Sequence, residues 1–440
     1  NTDGIDCSAA NVLIENSHIS DGDDMIAMGD GHAGNFCHDL TITNCLFGNG
    51  HGVSIGSYTE GGLSNLLVIN CIWTNGTSGF HLKSDDGRGG LVQDLRYINL
   101  AMTNTQIPIF LYSYYTNSGT STGATVGKAA AYPTYPVSST TPIWRNIVIS
   151  NLTAVSASGY PAGIIWGKPE LPISNVIMDH VNITASKYFQ LYNAQGIQLI
   201  DSKITTTSTA NNFGLFNADL TITNRFPSNN PAFFDGVVTN GYRNTLALYH
   251  VDAGLQNTNA LANGSLSLAD SIFTVNNNLT LSPDMNLNLA LGTNATEIAV
   301  NGNLSLGGIL NITDGGGLAN GDYTILTYGG RLSGEVPTLG SVPAGFRFNL
   351  DTNTVGQVKL VTMPSVNTIP TNLTFSVTGD TLEISWPQDY IGWHLEVQTN
   401  SLEVGLSTNW TPVAESEMTN QVMLPMNPAN PSTFYRLKYP

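Results

Sequence analysis

Residues 3–6 read DGID, residues 24–27 read DMIA, residues 51–54 read HGVS and residues 80–83 read FHLK. These segments align with steps of 21, 27 and 29 residues, about the length of one coil of a parallel β-solenoid. Within the alignment, apolar and polar columns alternate as they do in a strand with one buried face. The sequence therefore predicts strands that stack coil upon coil, about 4.8 Å apart.

Chemically active side chains fall at matching positions of these coils. The alignment places Asp3 over Asp24, and Asp24 over His51. It also predicts an apolar column formed by Ile5, Ile26, Val53 and Leu82. The neighbouring column, which points outward, consists of Asp6, Ala27, Ser54 and Lys83. We therefore expect carboxylates, an imidazole and an ammonium group to converge on one wall of the solenoid.

A recurrent asparagine marks the coils that follow. Short strand-like segments align through Asn16, Asn44, Asn70, Asn99 and Asn151. A repeated Asn at one turn position predicts a ladder of side-chain amides that bond from coil to coil. Asn99 and Asn151 are 52 residues apart, and the intervening residues 113–142 are rich in Gly, Ser, Thr and Tyr. We interpret residues 113–142 as an inserted loop, rather than a coil without the Asn, and expect it to form a wall of the cleft.

The composition limits the classes of protein and partner. Of 440 residues only 11% are charged, and no long segment has the 3.6-residue apolar period of a helix, so we predict a nearly all-β chain. The net charge of −17 argues against nucleic acid and anionic membrane as partners. The sequence also contains no apolar run long enough to form a transmembrane helix.

The four cysteines give no sign of a zinc site, because they show no CxxC spacing. Cys45 and Cys71 occupy equivalent repeat positions, which favours stacked small core residues over a disulfide. A bridge between Cys37 and Cys45 remains an alternative. We predict no metal and no cofactor.

Changes in texture along the chain predict three regions. Residues 1–245 are expected to form a parallel β-helix, residues 246–362 a smaller β-solenoid-like region, and residues 372–440 a small β-sandwich. The chain opens in mid-repeat, so we expect further coils upstream. The tryptophans of the last region are interpreted as core residues rather than a glycan-binding surface: Trp386, Trp393 and Trp410.

The stacked carboxylates suit glycoside hydrolysis. This reaction needs one carboxylic acid to protonate the leaving oxygen and a second carboxylate to activate water or attack carbon. Asp3, Asp23 and Asp24 can supply both roles, since like charges at close range raise the pKa of one group. His51 is placed to bond to a carboxylate and tune it.

Four ordered motifs resemble the polygalacturonase family, glycoside hydrolase family 28. They are NTDGID (1–6), GDDMIA (22–27), GNGHGVSIGS (48–57) and FHLKSDDGRGG (80–90). Residues 161–184 also resemble the bacterial members of this family. The resemblance implies a right-handed parallel β-helix that hydrolyses the galacturonic-acid backbone of pectin. It also implies inversion at the anomeric carbon without a metal ion.

The resemblance assigns roles to the matching residues. Asp23 is implied to be the general acid, while Asp3 and Asp24 hold and activate the water. His51 is implied to support the acid. Each of these residues stands at the position that the family motif requires.

Substrate binding is where the chain departs from the family. Lys83 is implied to bind the substrate carboxylate, with Tyr114 or Tyr115 near the same subsite. The family has Arg-x-Lys where this chain has His81 and then Lys83, so the bidentate grip of a guanidinium is missing. Arg88 is the candidate to replace it. We expect His81 to gain charge as the pH falls through its pKa, near 6.5 if unperturbed.

Rival interpretations stay open at this point. They are a related hydrolase for another pectic, neutral or sulfated glycan, a β-helix polysaccharide lyase that uses calcium, and a non-catalytic glycan-binding solenoid. In each case the expected partner is a polysaccharide and the chain is expected to be monomeric. The C-terminal regions resemble modules of secreted bacterial proteins, so we expect an extracellular location.

Overall fold

The computed structural model describes residues 3–29, 34–115, 125–208, 211–224, 232–236, 242–251, 253–255, 264–430 and 432–439. Asn1 and Thr2 of the first motif, and part of the predicted loop 113–142, lie outside these residues. The described part contains thirty-nine strands and one short α-helix, α1 (Val126–Ala131). The prediction of a nearly all-β chain is therefore confirmed. Within the described ranges, no helix is both long and apolar enough to cross a membrane.

The first eighteen strands form the coils nearest the start of the chain, and the earliest of these coils carry the cavity described below. They are β1 (Ile5–Cys7), β2 (Ala10–Glu15), β3 (His18–Ile19), β4 (Ile26–Met28), β5 (Cys37–Thr43), β6 (Leu46–Phe47), β7 (Val53–Ile55), β8 (Leu63–Ile69), β9 (Ile72–Trp73), β10 (Ser78–Lys83), β11 (Leu91–Thr105), β12 (Ile107–Tyr112), β13 (Ile143–Ser156), β14 (Pro161–Trp166), β15 (Ile173–Ala185), β16 (Lys187–Ile200), β17 (Lys203–Thr206) and β18 (Phe213–Thr223).

Fifteen further strands follow up to residue 364, and six more lie between residues 374 and 438. The fifteen are β19 (Ala232–Gly236), β20 (Thr245–Tyr249), β21 (Ala253–Leu255), β22 (Ser265–Ala269), β23 (Ile272–Val275), β24 (Leu279–Thr280), β25 (Asn286–Leu291), β26 (Glu297–Val300), β27 (Leu304–Leu306), β28 (Ile309–Asp314), β29 (Gly321–Tyr328), β30 (Leu332–Gly334), β31 (Thr338–Leu339), β32 (Phe346–Asp351) and β33 (Gln357–Pro364). The six are β34 (Thr374–Thr378), β35 (Thr381–Ser385), β36 (His394–Thr399), β37 (Thr411–Pro412), β38 (Gln421–Pro425) and β39 (Thr433–Lys438).

Parallel pairing from coil to coil is the rule of the first unit. Strand β1 pairs with β4, β4 with β7, β7 with β10, and β10 with β12, all in parallel. Thirty of the strands belong to this one hydrogen-bonded network. The predicted parallel β-helix is therefore confirmed.

One predicted register is wrong by two residues. The alignment placed Leu82 beside Val53, whereas Val53 pairs with Phe80, and Leu82 pairs with Ile55. A shift of two residues keeps every side chain on its own face of the strand, so the apolar pattern does not reveal it. The outward column is consequently Asp6, Ala27, Ser54 and His81.

The asparagine ladder is present and explains the long insertion. The side-chain amide of Asn99 donates to Asn70 Oδ1 at 3.2 Å, and that of Asn151 donates to Asn99 Oδ1 at 3.1 Å. Strand β11 pairs directly with β13, so the coil before residues 113–142 stacks on the coil after them. The interpretation of residues 113–142 as an inserted loop is thus confirmed.

Large apolar side chains fill the inside of the coils near the cavity. The rings of Phe47 and Trp73 lie 4.7 Å apart between centroids, and those of Phe80 and Tyr97 lie 4.1 Å apart. All four side chains are fully buried. Burial of one such side chain stabilises the fold by about 1.5–3 kcal/mol, so the stack fixes the coils that carry the cavity.

All four cysteines are free and buried. The backbone N–H of Cys45 lies 3.5 Å from the sulfur of Cys71 on the next coil. The preferred interpretation, stacked core cysteines, is confirmed, and the alternative bridge between Cys37 and Cys45 is not formed.

Two compact units divide the chain. The first comprises residues 1–319, 323–342 and 350–360, and the second comprises residues 320–322, 343–349 and 361–440. In the first unit, parallel pairing runs without a break from β18 through β20 and β22 to β25. A separate region at residues 246–362 therefore stays a prediction.

The second unit contains two three-stranded antiparallel sheets, β34–β35–β38 and β37–β36–β39. Trp386 and Trp393 are buried in its core, as predicted. Trp410 is half-buried, and the guanidinium carbon of Arg436 lies 4.3 Å from its ring centroid.

The ladder predicts how one asparagine contributes to stability. Asn99 has a left-handed backbone, with φ of 53°. We expect Asn99→Ala to lower the free energy of unfolding by about 1–2 kcal/mol, because it loses the amide bonds and strains the backbone. Asn99→Gly should cost less, because glycine adopts this φ freely. Thermal midpoints check the order; an unchanged midpoint in Asn99→Ala contradicts it.

Candidate active site

An open cavity of about 690 Å³ runs along strands β1 and β4 and past the end of β7. Four carboxyl side chains and one ammonium group line it, together with two tyrosines and small residues. The charged residues and tyrosines are Asp3, Asp6, Asp23, Asp24, Lys83, Tyr58 and Tyr115. The cavity is therefore acidic, and two aromatic rings form part of its wall.

The backbone explains why these side chains meet. Asp3, Asp24 and His51 each stand two residues before a strand, and the strands β1, β4 and β7 pair in register. Gly52 follows His51 with φ of 89°, and a Cβ there would collide with the carbonyl oxygen of Ser78. Glycine is therefore required where the next coil crosses this turn.

Asp24 is the most firmly held carboxylate of the cavity. Ser54 donates a hydrogen bond to Asp24 Oδ1 at 2.6 Å, and the ammonium of Lys83 donates to Asp24 Oδ2 at 2.7 Å. The backbone N–H of Asp24 in turn donates to Asp3 Oδ1 at 3.2 Å. Asp24 acts as an acceptor in both side-chain bonds, which is the role of a carboxylate.

Asp23 has a different set of partners. His51 Nδ1 lies 3.1 Å from Asp23 Oδ1, and the backbone N–H of His51 donates to the Asp23 carbonyl oxygen at 2.6 Å. Both side chains are partly open to solvent, with 34% of Asp23 and 42% of His51 exposed. The two adjacent aspartates thus differ in their partners, since Asp24 bonds to a cation and Asp23 bonds to an imidazole.

Asp21 is a cavity neighbour that the sequence analysis overlooked. Its Oδ1 accepts the backbone N–H of Asp23 at 3.1 Å, while its Oδ2 is buried and has no hydrogen-bond partner in the described ranges. Burial raises the pKa of Asp21, and the nearby charges of Asp3, Asp24 and Asp23 raise it further. The sequence feature that could have identified Asp21 is the order Asp-Gly-Asp at residues 21–23. An aspartate two residues before another residue commonly accepts that residue's backbone N–H in a turn.

His81 lies outside the cavity lining. Only 7% of it is exposed, and its ring stacks on Phe110 at 4.9 Å and on Tyr112 at 5.8 Å between centroids. Burial holds the pKa of His81 well below its usual range, and the charge of Lys83 adds to the effect. The expectation that His81 gains charge near pH 6.5 is therefore wrong; a role in substrate binding stays a prediction.

The two candidate tyrosines are placed differently. Tyr115 lines the cavity with 41% of its surface exposed, and Lys83 Nζ lies 5.2 Å from its ring centroid. Tyr114 is buried, and its hydroxyl donates to the Gly167 carbonyl oxygen at 3.0 Å. Tyr115 is thus the tyrosine that a ligand in the cavity can touch.

Arg88 lies behind the cavity wall. Its guanidinium carbon is 4.1 Å from the ring centroid of Tyr58, and it donates to Ser57 Oγ at 3.0 Å. Tyr58 and Ser57 line the cavity, whereas Arg88 does not. Arg88 therefore supports two wall residues, and direct substrate binding by Arg88 stays a prediction.

A buried ion cluster anchors the inserted loop beside the cavity. Lys168 Nζ lies 2.6 Å from Asp85 Oδ1 and 2.9 Å from Asp86 Oδ2, and it lies 4.1 Å from the ring centroid of Tyr114. Its hydrogen bond to the hydroxyl of Tyr132, at 3.3 Å, reaches the residue that follows α1. This cluster was not predicted, because nothing in the sequence pairs Lys168 with Asp85.

Asp23, Asp24 and His51 are also close enough to share a metal ion, since their ligand atoms lie within 4.8 Å of one another. Asp24 already has a cation as its partner, because Lys83 bonds to it at 2.7 Å. We therefore assign no metal to them, and a metal-independent reaction stays a prediction.

The raised pKa of Asp21 predicts a pH-dependent stability. Because the folded protein disfavours ionised Asp21, wild type loses stability as the pH rises from about 4 through the raised pKa. Asp21→Asn keeps an acceptor for the Asp23 N–H, so its melting temperature should exceed that of wild type by about 2 °C at pH 7 and by less at pH 3.5. Calorimetry at both values measures this; Asp284→Asn, at an exposed turn, controls for charge loss. A gap of the same size at both pH values would contradict the assignment.

Known proteins are similar to this chain in the region that contains the cavity. The chain is 30% identical over 194 residues to an endo-polygalacturonase from Pectobacterium carotovorum subsp. carotovorum, covering 44% of this chain and 43% of the relative. It is 30% identical over 194 residues to a polygalacturonase from Ralstonia nicotianae, covering 41% and 33%. A polygalacturonase from Chamaecyparis obtusa is 34% identical over 123 residues, covering 27% and 23%.

The chain thus spans less than half the length of these relatives. No solved structure matches it significantly. The family model described as Glycosyl hydrolases family 28 matches residues 1–209, which include every residue that lines the cavity. Residues 1–209 of this chain are therefore similar to glycosyl hydrolases family 28, which confirms the resemblance predicted from the four motifs.

Proposed function

We propose that this chain is a glycoside hydrolase that cleaves pectic polysaccharide by inverting acid–base hydrolysis. One observation carries the proposal: a single cavity holds Asp23, bonded to His51, and Asp24, bonded to Lys83 and Ser54. Glycoside hydrolysis needs two carboxyl groups in different environments, one to give a proton and one to receive it.

The roles follow from the partners of each carboxyl group. Asp23 gives its proton to the leaving glycosidic oxygen, and His51 orients the Asp23 carboxyl. Asp24, fixed by Lys83, positions a water on the opposite side of the sugar. Asp3 is exposed and accepts the backbone N–H of Asp24, so its carboxylate takes the proton that the water loses. The water oxygen forms the new bond to the anomeric carbon as the bond to the leaving oxygen breaks.

The linkage to test first is the α-1,4-galacturonosyl bond of polygalacturonate, since the relatives from Pectobacterium and Ralstonia are named for it. Lys83, beside Tyr115, is the one cation among the described residues that line the cavity. Another pectic or neutral glycan is the alternative substrate. We also propose an extracellular location, where such polysaccharides are found.

The role of Asp23 predicts a large loss of rate on substitution. Asp23→Asn should lower kcat by about 10²–10⁴-fold, because the leaving oxygen is no longer protonated. Reducing-end release from a panel of pectic and neutral polysaccharides measures the rate, and an unchanged melting temperature shows that the variant is folded. Activity within about tenfold of wild type would remove Asp23 from this role.

The proposed water position predicts the stereochemistry. Oxygen atoms of Asp23 and Asp24 lie within 4.8 Å of one another, which is too close for the inverting separation. The Asp23 carboxyl should therefore lie roughly 6.5–9.5 Å from the Asp3 carboxyl across the scissile bond, which leaves room for water. Proton NMR should therefore show the inverted anomer as the first product. A first product with retained configuration contradicts the proposal. An unsaturated product, seen by its ultraviolet absorbance, would instead indicate elimination by a lyase.

A further inference from the structure

The charge of the cavity lining is strongly unbalanced. Asp3, Asp6, Asp23 and Asp24 line the cavity, and Lys83 is the one cation among the described lining residues. The ammonium of Lys83 already bonds to Asp24 at 2.7 Å, which matches one charge with one charge. Three further carboxyl groups have no cation beside them in this lining.

The nearest other basic side chains do not correct the balance. Arg88 lies behind the wall with its guanidinium against Tyr58 and Ser57. His81 occupies the place where the family resemblance implies a guanidinium, but its ring is buried against Phe110 and Tyr112. Of the three positions expected to bind a sugar carboxylate, Lys83 lines the cavity, whereas His81 and Arg88 do not.

A fifth carboxyl group lies directly behind the lining. Asp21 accepts the backbone N–H of Asp23, and its second oxygen is buried without a partner in the described part of the chain. The pKa of Asp21 is raised by burial and by the charges of Asp3, Asp24 and Asp23. The surroundings of Asp21 therefore already disfavour the negative charge of its ionised carboxyl group.

Resting on the proposed function, we propose that the sugar unit bound in this cavity carries no negative charge. This sugar is an uncharged pyranose, and both a neutral hexose and a methyl-esterified galacturonate meet that description. A free uronate would add a charge to a cavity in which carboxylates outnumber cations, and Lys83, the one cation in the described lining, is already bonded to Asp24.

The same lining suits an uncharged sugar. Carboxylates are acceptors, so Asp3 and Asp6 can bind sugar hydroxyl groups. Tyr58 and Tyr115 line the cavity and are 49% and 41% exposed, so their rings are available to the apolar face of a pyranose. Hydroxyl acceptors and aromatic rings recognise a neutral sugar without a guanidinium.

The test compares substrates of the same linkage at low and high salt. Wild type is assayed on polygalacturonate, on methyl-esterified polygalacturonate and on a neutral α-1,4-linked galactan. We expect kcat/KM on an uncharged substrate to exceed that on polygalacturonate by about tenfold or more at low salt, and salt to narrow the ratio. Cleavage of the methyl ester alone identifies esterified galacturonate, and cleavage of the galactan alone identifies a neutral hexose. A kcat/KM for polygalacturonate equal to or above the others overturns the proposal.

A pair of variants isolates the cavity charge. Asp6 lines the cavity, is exposed and has no role in the proposed proton transfers. Asp6→Lys should lower the preference for uncharged substrate by about threefold or more at low salt, because it replaces a negative charge in the lining with a positive one. Asp284→Lys makes the same change in net charge at an exposed turn between β24 and β25, several coils along, and should leave the preference unchanged. Equal effects of both variants would overturn the proposal.

Binding keeps this inference separate from the proposed function. Calorimetric titration of Asp23→Asn with an α-1,4-linked galacturonate oligomer, its methyl ester and a neutral oligomer of equal length needs no turnover. Tighter binding of either uncharged oligomer supports the inference, even if wild type cleaves none of the polysaccharides and the proposed hydrolysis fails. Tighter binding of the charged oligomer overturns it, even if hydrolysis is observed.

Discussion

The parallel pairing of β1 with β4 and of β4 with β7 is the constraint on which the cavity depends. Asp3, Asp24 and His51 come from three different coils, and no contact between neighbours in sequence brings them together. Only the register of the strands does so. A slip of one residue in any coil would turn its outward side chains into the core, so the buried apolar column protects the chemistry as well as the fold.

The sequence was informative where the physics is periodic. Apolar alternation, recurrent asparagines and scarce charges predicted the parallel β-helix, the amide ladder and the inserted loop at residues 113–142. The sequence did not predict the register between β7 and β10. Val53 pairs with Phe80 rather than with Leu82, and this shift of two residues leaves every side chain on the same face of the strand. Turn length, which carries no periodic signal, decided that register.

Side-chain partners were predictable only in part. Asp23, Asp24 and His51 follow from the ordered motifs, and the structure brings them together. The burial of His81 was not predictable, because it depends on the ring of Phe110, which a strand on the next coil supplies. Asp21 was missed for a related reason: an aspartate in a turn is ordinarily solvated, and only the packing of neighbouring coils deprives its second oxygen of a partner.

The inserted loop has a consequence for how such a protein can diverge. Strand β11 stacks on β13 and Asn99 on Asn151 as though residues 113–142 were not there, while Tyr115 from this loop forms part of the cavity wall. The wall can therefore be lengthened, shortened or exchanged by genetic events that leave the carboxylates untouched. If the chain has the proposed function, exchange of this single segment changes the wall that a saccharide meets and leaves the stacked strands beneath it in place.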